Sequence, residues 1–291
     1  MPMTDLSPKQ DWALGMLFGL AIGDAMGAPL EFQSSREPEN YVKSYMSGGA
    51  HNVSKGEFTD DTSMALAMAD ALILKKRFDP KATMENFLKW KNNGAFSPRG
   101  LMFDCGNTIF AALSRYERDR SNPYQGTDHS MSAGNGGLMR LAPVIIAASN
   151  VEQAIDWAEA STRLTHAAEE ALNYSRRLAE ELWCREPLEK FDGFRHKTTQ
   201  PREGVMSGGY VKETYSAAWW AFETTNSFEE CVIEAINLGH DSDTTGAVAG
   251  MIAGAIYGYS SIPQWMIDGL QWSETISSIG WELVKIPSLK T

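Results

Sequence analysis

Apolar residues in this chain recur at intervals of three and four. Leu14, Leu17, Phe18, Ala21, Ile22 and Ala25 share one helical face, and Met64, Ala67, Met68, Ala71 and Leu72 repeat the spacing. Further helices are expected over 151–160 and 167–183, and from Ser227, where Ser227 and Glu230 form a capping-box signature. Runs of alternating β-branched residues are almost absent, and no linker rich in Pro, Gly or Ser divides the chain. The pattern predicts one compact all-α domain over residues 1–291, with loops near 92–107, 119–137 and 186–209.

Two of these helices carry glycine on every fourth residue: Gly15, Gly19, Gly23 and Gly27 in the first, and Gly246, Gly250, Gly254 and Gly258 near the end of the chain. Each interior glycine costs a helix about 0.8–1 kcal/mol relative to alanine. A stripe of four therefore implies a compensating close approach between helix backbones. Both stripes run into acidic clusters, which places those clusters on the rigid centre of the protein.

The formal charge of −11 disfavours non-specific binding to nucleic acid or to an anionic membrane. An anionic ligand would need positive potential supplied locally, by metal ions or helix N-termini. Cys105, Cys184 and Cys231 are odd in number and widely spaced, which fits a reducing cytoplasm better than a disulfide framework or a zinc site. The apolar stretches 12–23 and 246–266 read as buried helices: Asp5, Asp11 and Asp24 spoil a leader for the first, and Ser260, Ser261, Pro263 and Gln264 shorten the second.

The acidic clusters are Phe58-Thr59-Asp60-Asp61-Thr62-Ser63 and His240-Asp241-Ser242-Asp243-Thr244-Thr245-Gly246, each opening a helix. Asp and Thr are common N-caps, but capping needs one such residue and here each helix start has two aspartates with flanking threonines. Packed carboxylates repel unless a cation lies between them. Oxygen donors without Cys or paired His favour hard cations such as Mg²⁺, Mn²⁺ or Ca²⁺ over zinc.

The segment from Gly19 to Phe32 (GLAIGDAMGAPLEF), Thr59-Asp60-Asp61-Thr62 and the stretch from Gly239 to Gly246 resemble the ADP-ribosylglycohydrolase family. Asp104-Cys105-Gly106-Asn107-Thr108, Asn135-Gly136-Gly137-Leu138-Met139-Arg140, Thr165-His166 and Gly209-Tyr210-Val211 agree in order, so the likeness runs from about residue 12 to about residue 258. Within the family it is to the bacterial type that reactivates dinitrogenase reductase by removing ADP-ribose from an arginine. The resemblance implies an all-α bundle around a dinuclear magnesium or manganese centre, with two divalent cations bound by Thr59, Asp60, Asp61, Asp241, Asp243 and Thr244. It also implies that Glu31 is the catalytic acid–base residue near the scissile bond and that Asp104 faces the guanidinium. Asn135, Gly136 and Gly137 match a loop near phosphates or ribose, and His166 and Tyr210 match positions near the nucleotide. The chain reads Gly239-His240 where the family often has two glycines before the first aspartate of that motif.

These likenesses imply a metal-dependent hydrolase that takes ADP-ribosylated protein as substrate and leaves ADP-ribose as product. Metals would hold the ribose hydroxyls and the water, and a carboxylate would move the proton. Simpler roles compete: Glu31 as a surface acid after Pro29, Asp104 as a cap for a helix starting near Gly106, His166 as a helix opener and Tyr210 as core. Other readings of the whole chain are a phosphatase, an ADP-ribose-binding or toxin-immunity protein of the same fold, and a hydrolase of serine- or nucleic-acid-linked ADP-ribose. A phosphatase should bring further histidine ligands and basic clamps. A binding protein would typically have lost an acid from one cluster, and here all are present.

Overall fold

The computed structural model describes residues 6–183 and 199–286. Twelve α-helices are described: α1 (Pro8–Gly27), α2 (Asp60–Lys75), α3 (Pro80–Asn93), α4 (Asn107–Arg118), α5 (Ala142–Ala147), α6 (Val151–Arg163), α7 (Glu169–Trp183), α8 (Val211–Thr224), α9 (Phe228–Ile236), α10 (Ser242–Tyr257), α11 (Gln264–Gly269) and α12 (Ser273–Lys285). Short 3-10 turns join several of them. Among the described residues extended pairing is limited to three isolated bridges, Gly48 with Val53, Thr127 with His166 and Gly134 with Tyr210. The all-α architecture expected from the periodicity is what is found.

The central pair is α1 and α10, and the glycine stripes explain why. A Cβ placed on Gly15, Gly19 or Gly23 would lie 2.2, 2.0 or 1.9 Å from the carbonyl oxygen of Gly254, Gly250 or Gly246 respectively. The matching runs down one helix as it runs up the other, so the two are antiparallel and touch backbone to backbone. Gly27 meets the backbone of Ser242 in the same way. Gly258 departs from the expected stripe: it follows α10 at φ +81°, and a Cβ there would strike the Asp11 carboxylate. That carboxylate accepts from the Ser260 backbone N–H (2.7 Å) and latches the far end of the pair.

This geometry places the start of α10 beside the end of α1. Residues 28–33, which carry Glu31, therefore emerge next to the Asp241–Asp243 motif. Two backbone hydrogen bonds fix that proximity, Phe32 N–H to His240 O and His240 N–H to Gln33 O, both 2.7 Å. Gly239 (φ +72°) and His240 (φ +55°) make the left-handed turn needed for this pairing. A Cβ on Gly239 would sit 2.5 Å from Gln33 O, whereas His240 is exposed to solvent. A second glycine is thus dispensable here at the cost of one left-handed non-glycine residue.

Pro8–Leu30 is long and apolar enough to cross a membrane, but its apolar part, residues 13–30, is buried inside the protein. Its start carries a full capping box, with Gln10 N–H to Ser7 Oγ and Ser7 N–H to Gln10 Oε1. At α9 the Ser227 side chain caps Glu230 N–H as expected, while Glu230 reaches the Asn226 N–H, one residue beyond the box. Cys231 is buried and free and Cys105 is free and half-buried, while Cys184 and residues 186–198 of the third expected loop lie outside the described residues.

Candidate functional site

Asp24, near the end of α1, organises the site. Its carboxylate accepts four hydrogen bonds: from the Thr59 N–H (2.9 Å) and hydroxyl (2.9 Å), and from the Thr62 N–H (3.0 Å) and hydroxyl. Asp24 therefore caps α2 from another helix. Burial pushes its pKa up to about 6 against the opposing pull of these donors. The sequence pattern alone gives Asp24 no such role. The consequence is that Asp60 and Asp61 are not needed as caps, and Thr59, the N-cap residue, makes no side-chain cap bond of its own. Asp241 likewise precedes α10 without capping it.

The Thr59 hydroxyl has one hydrogen, and at 2.9 Å it goes to Asp24. Its lone pairs then face Asp61 Oδ2 and Asp243 Oδ2, each 3.4 Å away. Thr244 Oγ1 lies 3.5 Å from the same Asp61 oxygen. Asp61 Oδ1 and Asp243 Oδ1 are buried and have no hydrogen-bond partner. Burial first, and neighbouring carboxylates second, hold Asp60, Asp61 and Asp243 well above the ordinary carboxylate range, and burial also raises Asp241. The buried Arg140 behind them donates instead to Ser161 O (3.2 Å) and Thr165 Oγ1 (2.7 Å). Two orphaned carboxylate oxygens on aspartates that converge on the Thr59 and Thr244 hydroxyls fit a metal ion, and the all-oxygen donor set suits a hard one.

Asp60, Asp241, Asp243 and Thr244 line a cavity of about 230 Å³ together with Glu31, Asp104, Asn135, Gly136 and His166. Glu31 is buried, and burial, then the charge of Asp104, pushes its pKa up to about 8. Asp104 sits at φ +50° ahead of α4, whose N-cap is Gly106 without a side-chain bond, so Asp104 is not a cap. It faces His51 instead. His51 Nε2 lies 2.9 Å from Glu31 Oε2 and 3.2 Å from Asp104 Oδ1. Among the described residues these three form the one group with at least three His, Cys, Asp or Glu donors close enough together for a single ion; the four aspartates are spread more widely around the bowl. His51 carries no signal in the sequence, where it is a lone histidine in a turn.

The remaining expected residues divide. Asn135 Nδ2 donates one amide hydrogen to Asp241 Oδ2 (2.8 Å) and the other to Thr214 Oγ1 (2.8 Å), so Asn135 ties Asp241 to α8. Glycine at 136 makes room for the His166 ring, which would lie 2.7 Å from a Cβ there, and glycine at 137 for the Thr162 side chain, 2.4 Å from the corresponding position. Their requirement thus comes from protein neighbours, and Gly137 is not on the cavity wall. His166 is buried, and burial, then Arg140, pushes its pKa down to about 3. Because Thr165 Oγ1 accepts from Arg140, its hydrogen is free for His166 Nδ1 at 2.9 Å, which leaves the ring hydrogen on Nε2. Tyr210 is turned away: its ring is partly exposed, its hydroxyl meets Glu170 of α7, and the neighbouring Gly209 lines the cavity in its place.

Comparison with known proteins agrees with this architecture. A solved structure described as an ADP-ribosylglycohydrolase-related protein complex is 35% identical and superposes with a TM-score of 0.80, covering 97% of this chain and 100% of its own. The ADP-ribosylarginine hydrolase Tri1 of Pseudomonas putida (strain GB-1) is 35% identical over 96% of this chain and 80% of that protein. The ADP-ribosyl-dinitrogen reductase glycohydrolase of Rhodospirillum rubrum is 33% identical over 87% of this chain and 88% of that protein. The family model for ADP-ribosylglycohydrolase matches residues 5–182 and 169–288, and the chain belongs to that family.

Proposed function

We propose that this protein hydrolyses the N-glycosidic bond between ADP-ribose and a protein arginine, using two divalent cations, Mg²⁺ or Mn²⁺. The observation that carries the reading is the pair of buried aspartate oxygens, Asp61 Oδ1 and Asp243 Oδ1, left without hydrogen-bond partners, with Asp243 lining the same cavity as Glu31 and Asp104. The names of the two relatives, both of which act on ADP-ribosylated substrates, support it. Thr59, Asp60, Asp61, Asp241, Asp243 and Thr244 would hold the cations. When bound, such ions supply positive charge for ribose hydroxyls and acidify water.

The residues of the chain do the rest. Glu31 accepts the proton of the attacking water as its oxygen bonds to the ribose C1. The C1–N bond breaks, its electron pair stays with the guanidine, and the proton passes from Glu31 to the departing group or to solvent. Burial and the charge of Asp104 push Glu31 towards its protonated form, and the positive charge of bound cations would draw it back to the carboxylate that can accept the water's proton. Asp104 gives the guanidinium a charged acceptor. Asn135, through Asp241, keeps the second cluster in place. The His166 Nε2 hydrogen is available to a ligand acceptor.

The test compares ADP-ribosylarginine with ADP-ribosylserine in parent and Asp104→Ala. A charge-assisted hydrogen bond is worth about 1.5–3 kcal/mol, so kcat/KM for the arginine conjugate should fall roughly 10- to 150-fold. The serine conjugate should change little. A parent that prefers the serine conjugate, or an equal fall for both, defeats the arginine assignment.

A further inference from the structure

His51 is unused by the chemistry above, yet it occupies the position between the two carboxylates that matter most to it. It lies on the turn closed by reciprocal backbone hydrogen bonds between Gly48 and Val53, both 2.8 Å. Arg99, paired with Glu57, donates to the His51 carbonyl oxygen (3.1 Å) and anchors the turn's backbone. The imidazole is thereby delivered to Glu31 and Asp104, which belong to two other segments. Those carboxylates are 7% and 15% exposed, whereas the His51 side chain is 23% exposed and stands on the solvent side of them. The rings of Phe32 and Phe103 flank it at 6.0 Å each.

A single ring nitrogen cannot aim one hydrogen at two carboxylates. A guanidinium can, because its five N–H groups fan out in a plane. The contact with Asp104 raises the His51 pKa, which favours the charged ring, and the ring fits the two carboxylates less well than the guanidinium the arginine conjugate would bring.

We propose that His51 is a specificity-determining residue, a built-in cation seated between Glu31 and Asp104 that the guanidinium of the leaving group must displace. The identity of the displacing ligand rests on the glycohydrolase reading; the competition itself does not. A leaving group without a forked cation cannot satisfy both carboxylates, and His51 keeps the seat against it.

The experiment is calorimetric binding of methylguanidinium to the Mn²⁺-loaded full chain, in parent, His51→Ala and His51→Lys, with ADP-ribose binding as the measure of an intact site. Removing the competing cation in His51→Ala should lower the methylguanidinium Kd by roughly 10- to 100-fold, the scale of a charge-assisted contact. His51→Lys keeps a cation in place and should bind methylguanidinium no more tightly than the parent. ADP-ribose affinity should be the same in all three. Unchanged or weaker methylguanidinium binding in His51→Ala overturns the proposal, as does undetectable binding to both parent and variant. Loss of ADP-ribose affinity in His51→Ala also overturns it, because His51 would then support the fold or the nucleotide. Hydrolysis of ADP-ribosylarginine by the parent is scored separately: its absence refutes the glycohydrolase reading and leaves the binding comparison intact.

Discussion

Gly250→Ala places a methyl group where the structure has no room for one. The ideal Cβ at Gly250 falls 2.0 Å from Gly19 O and 2.7 Å from Gly19 C, against 3.4 Å or more for ordinary contact. The obstacle is backbone, so no rotamer change relieves it, and α1 and α10 must separate by an ångström or more along their closest line. Overpacking of this kind costs about 1–3 kcal/mol, at times more. Alanine returns up to about 1 kcal/mol in helix propensity, less than the cost of a clash with backbone atoms at 2.0 and 2.7 Å. A net loss of about 1–2 kcal/mol corresponds to a fall in Tm of about 2–8 °C at this chain length. Thermal and urea unfolding, with Mn²⁺ affinity measured alongside, are the assays, and Gly204→Ala is the control because nothing lies closer than 3.5 Å to its Cβ position. Metal affinity should fall with stability, since at the same end of this pair α1 carries Asp24 and α10 opens with Asp241 and Asp243. A Gly250→Ala protein as stable as the parent, or more stable, would refute the close-packing account.

Asp24→Ala leaves four buried donors of Thr59 and Thr62 without an acceptor and should cost roughly 3 kcal/mol or more by urea unfolding, with Asp24→Asn milder; a loss below about 1 kcal/mol contradicts its capping role. His166 has a folded pKa of about 3, below the ordinary histidine value, so the unfolded chain takes up the proton first; stability is intact above pH 6.5 and is lost as pH falls towards 3. Between pH 7.5 and 5 the parent should lose about 2 kcal/mol more than His166→Gln, at about 1.4 kcal/mol per pH unit, and parallel losses would show that His166 is not held neutral. Glu31→Gln should retain Mn²⁺ and ADP-ribose affinity while turnover slows by about 10²–10⁴-fold; near-normal turnover would return Glu31 to a structural role.

The periodic parts of the chain were legible as sequence. Glycines four apart in two segments predicted a backbone contact, and Gly19 against Gly250 is that contact. The threonine–aspartate motifs pointed to the two helix starts, and the fold brings Thr59, Asp61, Asp243 and Thr244 together from positions about 180 residues apart. What the pattern could not show was tertiary. Asp24 reads as the polar end of an apolar run, because its four partners lie 35 and 38 residues on. His51 has no spacing to another histidine, and its partners, Glu31 and Asp104, come from either side of it in the chain. The glycines at 136 and 137 carried a local signal, and the fold adds a cause the sequence does not show, the crowding of His166 and Thr162 against them. Tyr210 matches a position near the nucleotide by resemblance alone, and its contact with Glu170, 40 residues back in the chain, has no signal in the sequence.

The most direct test of the central claim is release of ADP-ribose from ADP-ribosylarginine by chelator-treated protein as Mn²⁺ or Mg²⁺ is added back. The account predicts no release from the metal-free protein and recovery as the Asp61–Asp243 bowl fills, with Asp243→Asn needing far more cation to reach the same rate. Full-rate release by a verified metal-free sample would contradict it.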